Sequence, residues 1–210
     1  MNNKITFGIG GVVVGLVLAS VFGGTMFSGS NNGMMGSNKN MNRQNTGNNQ
    51  MMGNIDKHFI EQMIPHHDGA VAMAKLALVK SKRQEIKTLA NAIITGQTKE
   101  IEDMTSWYKN WYGKDVPKGN VGMIGGGIMP GSGMHMGGAE DMKTLETATD
   151  FDKAFLEAMI PHHQLALMMV QMLEAGTTRP EMLQLAKNIT SSQSKEIKDM
   201  QGWYKAWYGK

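Results

Sequence analysis

Apolar residues fall at intervals of three and four along two long stretches of the chain, the signature of amphipathic helices. In the first stretch Ile55, Phe59, Met63, Ala70, Met73 and Ala77 share a face. A second helix is predicted from about Glu85 to Tyr112, with Ile86, Leu89, Ala90, Ile93, Ile101, Met104 and Tyr108 along one side and Gly113 as its stop. Pro65 interrupts the first pattern, and a proline there removes a backbone donor and crowds the carbonyl of Glu61, which predicts a kink.

The whole pattern then returns ninety-six residues later. Asp56-Lys57-His58-Phe59-Ile60-Glu61-Gln62-Met63-Ile64-Pro65-His66-His67 reappears as Asp152-Lys153-Ala154-Phe155-Leu156-Glu157-Ala158-Met159-Ile160-Pro161-His162-His163. The register holds without a gap through Trp107-Tyr108-Lys109-Asn110-Trp111-Tyr112-Gly113-Lys114, repeated at Trp203–Lys210. Each repeat reads as two helices. Ser81-Lys82-Arg83 joins them in the first, and Gly176-Thr177-Thr178-Arg179-Pro180 in the second, where Pro180 suits a first helical turn. Short connections make antiparallel neighbours, and a single hairpin buries only one face. The expected fold is therefore all-α, a four-helix bundle of two duplicated hairpins related by a pseudo-twofold axis, with repeats at residues 55–114 and 150–210.

Between and before the repeats the helical period is lost. Residues 25–54 and 115–149 are rich in glycine, methionine and asparagine, lack a core pattern and read as mobile tethers. Residues 1–24 differ again. Lys4 precedes an apolar run from Ile5 to Phe22, with no further charge until Lys39. That run suits a signal peptide or a retained membrane anchor, and places the folded part in the periplasm or at the cell surface. The net charge of +3, with lysines scattered among acids, describes a solvated surface and excludes a nucleic-acid footprint.

The chain has no cysteine, which excludes a disulfide framework, a zinc ribbon and a blue-copper centre. It has 21 methionines, and several lie where there is no core to fill: Met34-Met35, Met51-Met52 and above all Met134-His135-Met136. Beside each helix-interior proline stand two histidines. Met63 lies one turn before His66 and His67, and Met73 two turns beyond His66; Met159, His162, His163 and Met169 repeat the arrangement. On the partner helices Gln97, Glu100 and Met104, like Gln193, Glu196 and Met200, share an edge that could face the histidines. Thioether and imidazole without thiolate form a ligand set for Cu(I) or Ag(I), with imidazole also accommodating Cu(II). The competing explanation is packing, since buried methionine at helical spacing ordinarily fills core. A di-metal carboxylate site would need Glu-x-x-His on two helices, and Met63, Ile64, Met159 and Ile160 occupy the positions three before the histidines.

With Met-Ile-Pro-His-His followed by alanine and methionine, and Gln-x-x-Glu-Ile-x-x-Met-x-x-Trp, both repeats resemble domain-of-unknown-function family 305. The resemblance implies two tandem copies of an exported, ferritin-like helical-bundle unit, similar to periplasmic copper-binding proteins. It implies metal binding around Met63, His66, His67, Met73 and Met104, and around Met159, His162, His163, Met169 and Met200. His58 has alanine as its counterpart and ranks below these. The expectation is a non-enzymatic copper-binding protein for sequestration, delivery or tolerance, with copper ions as its partners. Its alternatives are a metal-dependent oxidoreductase and a bundle serving only protein or membrane-surface contacts.

Overall fold

The computed structural model describes residues 45–117 and 139–209, with side chains described from residues 55 and 141 onward in the two segments. The apolar run from Ile5 to Phe22 and the Met134-His135-Met136 cluster lie outside the described residues, and no helix among the described residues is long and apolar enough to cross a membrane. Five helices and no strand are present in this part: α1 (Asn45–Lys80), α2 (Gln84–Tyr112), α3 (Ala139–Thr147), α4 (Phe151–Glu174) and α5 (Pro180–Tyr208).

The helix ends follow their local chemistry. Gly113 and Gly209 close α2 and α5 in the left-handed region, at φ 68° and 70°, a conformation that glycine adopts without Cβ strain. Asp150 caps α4 by accepting the Lys153 N–H, and Pro180 begins α5. At the two hairpin turns Ser81 Oγ accepts the Arg83 N–H at 3.1 Å, and Thr177 Oγ1 accepts the Arg179 N–H at 3.2 Å. The repeat thus extends to the hydrogen bonds of the turns.

α1 packs on α2 and α4 on α5, and the hairpins meet through α1 against α4. Two apolar clusters result. The first joins Met73, Ala77, Ile86, Leu89 and Ile93 to Phe151, Phe155, Leu156, Met159 and Met200. The second joins Phe59, Ile60, Met63, Met104 and Tyr108 to Met169, Val170, Leu173, Met182, Leu185 and Ile189. Each cluster takes the C-terminal half of one long helix with the N-terminal half of the other, so α1 and α4 run antiparallel. A shift of ninety-six residues exchanges the clusters, and the all-α bundle carries the expected pseudo-twofold axis.

Two stretches differ from the sequence reading. The first ten residues of α1, from Asn45 to Asn54, continue the helix where a tether was expected. Within the stretch 115–149, α3 forms and packs on α1 and α4, with Leu145 buried in the first cluster. One well-placed leucine on a nine-residue helix is too short a pattern to show as periodicity. The helices also run on through Pro65 and Pro161.

Candidate metal centre

Between the two apolar clusters lies a polar layer. His66, His67, His162 and His163 are fully buried in it, with Gln97 and Gln193 beside them at 4% and 2% exposure. Its position follows from the sequence: Pro-His-His sits midway along each of α1 and α4, and antiparallel packing brings the two midpoints together. The rings of His66 and His162 meet at the pseudo-twofold axis, their centroids 3.7 Å apart. His67 and His163 flank them, each 6.2 Å from its sequence neighbour.

The outer pair and the inner pair differ in bonding. His67 Nε2 lies 2.7 Å from Glu100 Oε2, and His163 Nε2 lies 2.7 Å from Glu196 Oε2. A carboxylate accepts, so Nε2 donates in each case, and in the neutral form of the ring Nδ1 is left as a lone-pair donor. Both of these Nδ1 atoms are buried and find no hydrogen-bond partner among the described residues. The Oε1 atoms of Gln97 and Gln193 find none either, and the ring nitrogens of His66 and His162 have only a loose approach to each other's backbone, outside hydrogen-bond geometry. A buried polar atom left in this state costs about 1–3 kcal/mol. Burial, reinforced by His67 and His163 and only partly opposed by the backbone of His162, pushes the His66 imidazole down to about 3. Burial and the facing imidazoles of His66, His163 and His67 hold His162 well below its ordinary range as well. The inner pair is therefore neutral at pH 7, with basic nitrogen available.

The methionines divide between the two apolar clusters. Within-repeat spacing placed Met63, Met73 and Met104 around the first pair of histidines. Met63 and Met104 lie in one cluster with Met169 of the other repeat, and Met73 lies in the other cluster with Met159 and Met200. Antiparallel docking of α1 on α4 causes this exchange: residues two turns past the histidines on one helix meet residues one turn before them on the other. His58 stays at the surface, 3.8 Å from Glu61. Among the described residues no three His, Asp or Glu side chains are placed to hold one ion together. The donor types suit a soft monovalent ion: buried imidazole, with fully buried Met63 and Met159 one turn before the histidines on α1 and α4, and Met104 and Met200 one turn past Glu100 and Glu196 on α2 and α5. The carboxylate that fixes each outer histidine is the arrangement that commonly orients metal-binding imidazole.

Two kinds of cross-link, each present in both repeats, were not foreseen. Tyr108 donates to Glu61 and Tyr204 to Glu157, each at 2.5 Å, tying the two helices of a hairpin together. Arg83 stacks on Trp207 at 3.9 Å and faces Asp152, while Arg179 stacks on Trp111 at 4.1 Å and pairs with Asp56 at 3.1 Å. These two clamps fasten each hairpin turn to the opposite hairpin. The repeated Trp-Tyr-Lys-x-Trp-Tyr ending was the available signal, but its partners are distant in sequence.

The chain is similar to several known proteins. CopM, solved in Cu(II)-bound, Cu(I)-bound and Ag-bound forms, is 41% identical in the Cu(II)-bound form, with TM-score 0.61 over 73% of this chain and 98% of that one. A putative secreted DUF305 protein from Streptomyces coelicolor is 25% identical, with TM-score 0.57 over 70% of this chain and 89% of that one. The uncharacterized protein L153 of Acanthamoeba polyphaga mimivirus is 43% identical over 51 residues, which is 24% of this chain and 34% of that protein. Residues 56–207 match, as one span covering both hairpins, the family described as Domain of unknown function (DUF305), and the chain belongs to that family.

Proposed function

We propose that this is an exported copper-binding protein, built from two tandem copies of the hairpin unit, which holds Cu(I) in the buried histidine layer. Ag(I) would take the same site, and Cu(II) would depend on imidazole alone, since thioether is a poor donor to it. The observation that carries the reading is the pair of buried Nδ1 lone pairs on His67 and His163, each fixed by a carboxylate on the opposite nitrogen. Similarity to CopM, whose structures hold copper and silver, supports the choice of metal, and similarity to a putative secreted protein supports export. Within this reading the task is to sequester copper or hand it on, and the metal is cargo.

Native mass spectrometry of the full chain under reducing conditions, titrated with Cu(I), tests the proposal. The tightest ions should be lost when His67 and His163 are both replaced by alanine, with helicity retained by circular dichroism. Unchanged binding in a folded double variant would overturn it. Oxygen consumption during Cu(I) loading separates the oxidoreductase alternative, which requires turnover, from simple binding.

A further inference from the structure

The methionines of α4 do not all have a packing role. Among the described residues three large apolar side chains are exposed, and two of them, Met168 at 55% and Met172 at 49%, stand one turn apart on α4. Their counterparts in the first repeat are Ala72 and Leu76, and Leu76 packs against the first cluster. Methionine at these positions is thus neither demanded by the repeat nor used by the core. Residues 158–173 contain no Asp, Glu, Lys or Arg, so this stretch of α4 itself offers no carboxylate to a hard cation and no cation to repel a soft one. Side chains four apart on a helix are surface neighbours, and the flexible thioether arm lets both sulfurs reach one ion.

We infer that Met168 and Met172 form a second, surface site for a soft monovalent ion, Cu(I) or Ag(I), separate from the histidine layer. This rests on the proposed copper-binding function and adds to it a solvent-facing point of capture. His163 is five residues earlier on α4, about 8 Å along the helix axis, and Met169, between the surface pair and the core, is buried in the second cluster. An ion held at the surface pair is therefore near the layer without belonging to it.

The test is an Ag(I) titration of the full chain labelled with carbon-13 in the methionine methyl groups, in chloride-free buffer, with histidine ring signals followed in parallel. The Met168 and Met172 methyl signals should move together at the same silver concentration. In Met168→Leu the Met172 signal should need roughly a hundredfold more silver, the order expected when a tethered second donor is removed, while the histidine signals respond as in the parent. Stationary Met168 and Met172 signals while the histidines respond would overturn the surface site and leave the buried one standing. A Met172 response unchanged in Met168→Leu would also overturn it, because the sulfurs would then act singly. If neither histidine nor methionine signals move, the surface site and the copper-binding reading both fall.

Discussion

The apolar clusters and the histidine layer between them are built from the same two helices, yet they differ in what they explain about themselves. Every side chain in the clusters is accounted for by burial: Ile60 and Leu156, equivalent in the two repeats, are wholly enclosed and packed on partners from both hairpins. The layer is enclosed to the same degree, but it leaves ring nitrogens and amide oxygens without partners. Stability alone would favour apolar residues there, since replacing unsatisfied polar groups by apolar ones of similar shape is close to neutral or stabilising. The clusters hold the bundle together; the layer costs stability and supplies donors.

Substitutions sharpen that contrast most strongly. Ile60→Ala and Leu156→Ala should each lower unfolding stability by about 2–5 kcal/mol in denaturant titrations, and by similar amounts, because the positions are equivalent. His66→Leu or His162→Leu in the metal-free protein should stay within about 1 kcal/mol of the parent or exceed it. A loss at His66 as large as at Ile60 would show that the layer is structural.

Acid provides the next largest effect. The unfolded chain protonates histidine near 6.5, while folded His66 does so only at about 3. Between those values the unfolded state binds more protons, so the contribution to stability is complete above about pH 6.5 and is lost as pH falls toward 3. Metal-free protein should lose on the order of 3 kcal/mol between about pH 6.5 and about pH 4. The variant carrying both His66→Leu and His162→Leu should show a much flatter profile. Equal slopes in the two proteins would place the acid sensitivity elsewhere.

A smaller effect separates orientation from support. Glu100→Gln and Glu196→Gln keep the shape but remove the carboxylate that fixes the outer histidines, and should weaken Cu(I) affinity about 10–100-fold with little change in unfolding. The smallest effect belongs to the end clamps. Arg83→Ala and Arg179→Ala, which remove a stacking contact and an ion pair, should each cost about 0.5–1 kcal/mol and leave copper affinity untouched.

How much of this was legible in the sequence follows from the range of the interactions. The four long helices, the Gly113 stop and the Pro180 start are local matters, and periodicity and backbone chemistry revealed them. The approach of Glu100 to His67 was foreseeable too, because a short turn sets α2 antiparallel to α1 and the residues share an edge at spacings of three and four. The grouping of Met63 and Met104 with Met169 was not, since it depends on how one hairpin docks on the other. Arg83 on Trp207 escaped for the same reason. α3 escaped for want of length: its place is fixed by Leu145, and a single leucine sets no period.

The central claim, that the buried imidazoles are donors to copper, is tested most directly at the nitrogens themselves. Long-range proton–nitrogen NMR of the histidine rings, recorded on the full chain as Cu(I) is added under reducing conditions, reads each Nδ1 and Nε2 separately. The account predicts that Nδ1 of His67 and His163 shifts on binding while each Nε2 keeps its proton, hydrogen-bonded to Glu100 or Glu196. Ring nitrogens of all four histidines that remain unmoved at saturating Cu(I) would contradict it.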